Sequence, residues 1–303
     1  MTLFQKIYFF LLFHLILISC STNPYKKSEK VYDEKLSVIK ETISEKEVTT
    51  IGKMEIPKNA IDSLYLKQLL IYKDSISKTG GIPIQNGINT EWIGTVNFNL
   101  RKPNFVIIHH TAQDSLQQTL NTFTKTVSKV SAHYVIGEDG KIVHMLNDYL
   151  RAWHAGISSW GKNYDINSTS IGIELDNNGS EPFSDLQINS LLALLTKLKK
   201  DYNIPTDNFI GHSDIAPSRK KDPSALFPWK TLAKMGFGMW PNDVEEQAPA
   251  TFDAEQGLRI IGYNTQNLAA AITAFKLHFI QTEVDAILDQ KTINAIYNLS
   301  KRY

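Results

Sequence analysis

Residues 211–223, GHSDIAPSRKKDP, place one histidine, two carboxylates and three cations within thirteen positions. His212 and Asp222 stand ten residues apart with Pro217 between them, which puts one at a strand end and the other on a loop that folds back. Neutral imidazole and carboxylate are both zinc ligands, and with a third ligand and one position left open they make a catalytic zinc site. The single cysteine, Cys20, allows no intramolecular disulfide and no cysteine cluster, so any metal is held by His, Asp or Glu.

Six of the eight histidines lie between positions 109 and 212. Taken singly, a histidine is more often a satisfied core or surface residue than a ligand. Position separates two of them from the rest. His109 follows the buried-strand run Phe105-Val106-Ile107-Ile108, and His212 follows the short strand 208–210. Ligands collect at such strand ends, and two neighbouring strands would bring the imidazoles together. His109, His212 and Asp222 then form a set able to polarise a carbonyl and lower the pKa of water toward roughly 7. Amide hydrolysis also needs a proton carrier and a stabiliser of negative charge. In 170–176 Ile171, Ile173 and Leu175 alternate with Gly172, Glu174 and Asp176, so Glu174 faces away from the apolar side of its strand and is placed to carry a proton. Lys220, two residues before Asp222, can aim an ammonium at an oxyanion. Asp214, Arg219 and Lys221 read as scaffolding around these groups.

The elements that must position these groups follow from periodicity. Leu116, Leu120, Phe123, Val127 and Val130 predict an amphipathic helix capped by Asp114 or Ser115. Residues 132–136 and 141–146 flank Asp139-Gly140 as a hairpin. Ser184 and Gln187 open a helix that runs to about Tyr202. The expected fold is α/β, a central mixed sheet with flanking helices over 92–240. A Pro- and acid-containing linker at 241–250 leads to a small three-helix domain over 251–303, with helices near 254–261, 268–279 and 289–299. Tyr263, Phe275 and His278 read as structural residues of that domain.

With 42% hydrophobic and 21% charged residues, the 303-residue chain can bury a full core. A formal charge of +1 gives no general attraction to nucleic acid, so none is expected as a partner, and the chain is read as a monomer. Residues 7–18 are apolar apart from His14, follow Lys6 and end at Ser19-Cys20. Twelve residues fall short of the roughly 20 that a bilayer span needs. The segment instead resembles a bacterial lipoprotein signal, 1–19, cleaved before Cys20 with lipid on its sulfur. Ser21 resembles the sorting residue of outer-membrane lipoproteins, which implies an envelope protein facing the periplasm. Residues 20–91 read as a tether and N-terminal extension, with room for some helix within 21–57 and a helix pattern over 61–76.

FVIIHHTA, SAHYVIGEDGKIV, AWHAG, TSIGIEL and GHSDIAPSRKKDP, in that order, resemble the zinc N-acetylmuramoyl-L-alanine amidases of the type-2 family, which share a fold with peptidoglycan recognition proteins. The resemblance implies one zinc ion on His109, His212 and Asp222, Glu174 as acid/base and Lys220 as transition-state stabiliser. Some relatives carry a tyrosine before the position of His133 and a cysteine ligand; Ala132 and the absence of a second cysteine match the Glu/Asp branch. His110, His133 and His154 read as residues behind the ligands or in the groove and not as ligands; His110, Trp153 and His154 are assigned to substrate contact, and peptidoglycan or its muropeptides is the implied partner. The tail resembles a peptidoglycan-binding helical domain. Two other readings share much of this pattern: a non-catalytic peptidoglycan-binding lipoprotein, and a zinc peptidase cutting within the stem peptide.

Overall fold

A computed structural model of the chain describes residues 23–51, 75, 80–97, 99–100, 103–242 and 246–303. The signal-like segment, Cys20, Ser21, nearly all of the 61–76 helix pattern and part of the 241–250 linker lie outside the described residues. Among the described residues no helix is long and apolar enough to cross a membrane.

Six strands form the central sheet: β1 (Thr90–Trp92), β3 (Phe105–His110), β4 (Tyr134–Ile136), β5 (Ile142–His144), β7 (Ser170–Leu175) and β8 (Phe209–Gly211), in the order β1-β5-β4-β7-β3-β8. Only the β4–β5 pair is antiparallel, so the sheet is mixed, as expected. The strands β2 (Asn99–Leu100) and β6 (Leu150–Arg151) make a separate small ladder. The middle of β3 is buried on both faces, which is why its sequence is a continuous apolar run without alternation.

One face of the sheet packs Val106, Ile108, Ile171 and Ile173 against Leu191, Leu194, Leu195 and Leu198 of the helix Asp185–Tyr202. Ser184 caps that helix through the Gln187 amide. The Gln187 side chain does not return to the cap; it donates to the carbonyls of Ile136 and Asp176, tying the helix to two strand ends. On the opposite face, the helix Leu116–Phe123 covers Val135 and Val143. The predicted run to Val130 overreached: the helix stops at Phe123, a short 3-10 turn follows, and Val127 is 82% exposed. Its apolar spacing continued past the point where a core existed to receive it.

The stretch read as a tether carries a helix, Lys26–Ile51. Tyr32 and Leu36 bury against Leu146, Leu150 and Ala152, and the Lys35 ammonium reaches the Val96 carbonyl at 2.6 Å. Among its described side chains the docking residues are few and set among charged ones, so they give no sustained apolar period.

The three C-terminal helices are Ala254–Ile261, Leu268–Phe279 and Gln290–Ser300, with Asp289 capping the last. Leu258, Phe275, Ile296 and Leu299 share one apolar cluster with Ile107, Trp160, Ile210 and Ile215 of the sheet domain. The tail therefore completes the second face of the sheet, consistent with a unit too small to hold a large core alone.

Candidate active site

The parallel pairs β3–β7 and β3–β8 bring three elements of the site together at one end of the sheet. His109 and Glu174 are register partners, and Ile108 pairs with Gly211, one residue before His212. After Gly211 the chain turns into the short helix His212–Ile215 and returns so that the Ser213 amide donates to the Asp222 carbonyl at 2.8 Å. That return brings Asp222 beside His212 despite the ten residues between them.

Nδ1 of His109, Nδ1 of His212 and Oδ2 of Asp222 converge, 2.9 Å, 3.1 Å and 3.0 Å from one another. Among the described residues this is the group of His, Cys, Asp and Glu whose donor atoms could hold one metal ion. Burial pushes the His109 pKa down to about 4, with His212 adding to the effect, so the imidazole is neutral as a ligand must be. Burial alone would raise the pKa of Asp222, but hydrogen bonds from His109 and His212 hold its carboxyl well below the usual carboxylate range. Two neutral imidazoles and one carboxylate suit zinc by ligand chemistry.

A cavity of about 310 Å³ opens over the cluster and includes Glu174 and Lys220 in its wall. Burial, then the Asp222 charge, raises the Glu174 pKa to about 8, against the lowering effect of Lys220. A dication held by the neighbouring ligands favours the ionised form and counters that rise. His110, Trp153 and His154 also line the cavity, so all eight site residues expected from sequence, apart from the lipidation site Cys20, meet there. Their environments differ. The Nδ1 of His110 accepts from the Ser224 amide at 3.3 Å. The indole nitrogen of Trp153 is buried without a partner. Both ring nitrogens of His154 are engaged inside the fold, by His109 and Ser170. Sequence reasoning missed Thr119, Thr122, Val130 and Ser131, which form another part of the wall. A signal was present: polar residues three apart on a helix that begins just after a ligand-bearing strand end.

A family profile described as N-acetylmuramoyl-L-alanine amidase matches residues 99–225. The N-acetylmuramoyl-L-alanine amidase AmiD of Escherichia coli is 34% identical over 230 residues, 65% of this chain and 82% of AmiD. The chain belongs to the type-2 N-acetylmuramoyl-L-alanine amidase family. The solved complex of AmiD with anhydro-N-acetylmuramic acid-L-Ala-D-gamma-Glu-L-Lys covers 74% of this chain and 98% of AmiD at a TM-score of 0.61 and 30% identity. AmpDh3 of Pseudomonas aeruginosa, solved with anhydromuramic pentapeptide, superposes with a TM-score of 0.61 at 29% identity, over 67% of this chain and 93% of its own. The 1,6-anhydro-N-acetylmuramyl-L-alanine amidase AmpD of Haemophilus influenzae is 42% identical over 103 residues, 34% of this chain and 56% of AmpD. Amidases of this family are zinc enzymes, and His109, His212 and Asp222 fit that ion.

Proposed function

We propose that this amidase-family chain hydrolyses the amide between the lactyl group of N-acetylmuramic acid and L-alanine, in muropeptides released during cell-wall turnover. The observation that carries the reading is the convergence of His109, His212 and Asp222 beside Glu174 in one cavity wall. Zinc, when bound there, supplies Lewis acidity toward a carbonyl oxygen and toward water. Glu174 takes a proton from the attacking water and returns it to the departing L-alanine nitrogen. Lys220 sets its ammonium against the oxyanion that forms as the carbonyl becomes tetrahedral. The relatives solved with anhydromuramyl peptides support soluble fragments as substrates. The 1–20 signature supports cleavage before Cys20, lipid on its sulfur and a place in the envelope, at the outer membrane facing the periplasm.

Incubation with an anhydromuramyl tripeptide, read by mass spectrometry, tests the reaction. Expected products are the anhydro-sugar and a peptide beginning at L-alanine, with release stopped by a chelator and restored by zinc. Glu174→Gln retains zinc and loses roughly 100- to 10,000-fold in kcat/KM. Cleavage within the peptide instead, or release indifferent to chelator, would overturn the proposal.

A further inference from the structure

In the run AWHAG, residues 152–156, His154 stands 45 positions from His109 and Ala155 stands 57 from His212, yet each meets a ligand histidine. Each ligand histidine directs Nδ1 toward the cluster, which leaves Nε2 to be held elsewhere. His109 Nε2 lies 3.0 Å from Nδ1 of His154, and His212 Nε2 lies 3.2 Å from the carbonyl of Ala155. Two consecutive residues therefore hold the far edges of both imidazoles.

Proton bookkeeping makes the arrangement directional. With Nδ1 of His109 free to ligate, Nε2 carries its proton and donates to Nδ1 of His154. His154 must then carry its own proton on Nε2, which faces Ser170 Oγ at 3.1 Å. The Ser170 hydroxyl in turn donates to the Ile166 carbonyl at 2.6 Å. Every donor in the series meets an acceptor, and a single tautomer of each ring satisfies it.

The holder is itself fixed. Asn167 Oδ1 accepts from the amides of His154 and Ala155 at 3.1 Å and 2.9 Å. The Ala155 carbonyl also accepts from Arg219 at 2.9 Å, and Arg219 reaches the Ile157 carbonyl at 2.8 Å. A Cβ on Gly172 would stand 2.4 Å from the His154 ring, so the glycine of SIGIE is what lets that ring lie against β7. The same contact, with 8% exposure and both nitrogens turned into the fold, argues for a supporting role over a substrate contact.

We infer that residues 154–155 are a two-pronged positioning strap, in which the His154 side chain and the Ala155 carbonyl set the tautomer and orientation of His109 and His212 for metal binding, with Asn167 as its anchor. The inference rests on the reading of those two histidines as ligands. Outer partners of this kind orient ligands and raise their basicity, and their loss costs about 10- to 100-fold in metal affinity.

The test has two arms. In the zinc-loaded full chain, ¹⁵N ring shifts of the histidines are expected to show His109 protonated at Nε2 and His154 protonated at Nε2 and bare at Nδ1. A His154 protonated at Nδ1 overturns the inference in the wild-type protein, with no variant needed. In chelator competition, His154→Phe is expected to weaken zinc binding by about 10- to 100-fold, while His154→Asn, which keeps an acceptor near the Nδ1 position, recovers most of it. Unchanged affinity in His154→Phe overturns the strap. Unchanged affinity in His109→Ala instead overturns the ligand reading beneath it, so the two failures are distinguishable.

Discussion

Two buried carboxylates stand eight residues apart in 211–223, each beside histidine, and they have opposite characters. Asp222 faces two imidazole nitrogens, and all three groups line the cavity. Asp214 is fully enclosed and saturated with donors: the Gly211 amide at 2.7 Å, the Tyr263 hydroxyl at 2.5 Å and Nδ1 of His278 at 2.7 Å. His278 stacks on Trp229 at 3.8 Å between centroids, which closes that side. Burial and the Asp214 charge push the Tyr263 phenol well above its ordinary pKa, so it stays a donor. Residue type does not separate a metal ligand from a structural clasp. What separates them is enclosure: Asp214 is sealed in among its donors, whereas Asp222 and its two imidazoles line an open cavity.

The clasp joins the C-terminal helices to the turn that carries His212. Removing its carboxylate leaves three buried donors unmatched, and the comparison therefore predicts its largest stability effect there. Asp214→Ala is expected to lose about 3–5 kcal/mol, read as a fall in Tm on the order of 10 °C in thermal unfolding of the metal-free chain. A loss below about 1 kcal/mol would show that the clasp is dispensable.

Much of the site was legible in the sequence because its parts sit at the ends of strands whose β-branched runs announce them. His109, Glu174 and His212 are each fixed by a strand, and register alone brings the first two together. The C-terminal helices were legible through their caps and apolar spacing. Asp214 read only as scaffolding, since its partners Tyr263 and His278 are 49 and 64 positions away and no local period connects them. The hold of His154 on His109 was not legible, since the two are 45 positions apart and the room that Gly172 leaves for the ring shows only in the fold. The helix Lys26–Ile51 was only faintly legible, because the docking residues among its described side chains are few and give no sustained apolar period.

A smaller effect sharpens the contrast at the open cluster. The Glu174 pKa rises from the ordinary 4.5 to about 8 in the metal-free fold. A raised carboxyl pKa means the native state holds a proton that the unfolded state has released, so stability falls as pH rises from about 4.5 to about 8 and is restored below that window. Glu174→Gln, neutral throughout, is expected to stabilise the metal-free chain by on the order of 2 kcal/mol at pH 8, after allowance for solvent contact, and by nothing near pH 4. Parallel denaturation curves at the two pH values measure it; a gap of equal size at both contradicts the assignment.

The most direct measurement is zinc stoichiometry by elemental analysis after equilibrium dialysis, for the full chain and for Asp222→Ala and Asp214→Asn. One zinc per chain is predicted for the unaltered protein and for Asp214→Asn, and none retained by Asp222→Ala. Zinc kept without Asp222, or lost only with Asp214, would contradict the division between the two carboxylates.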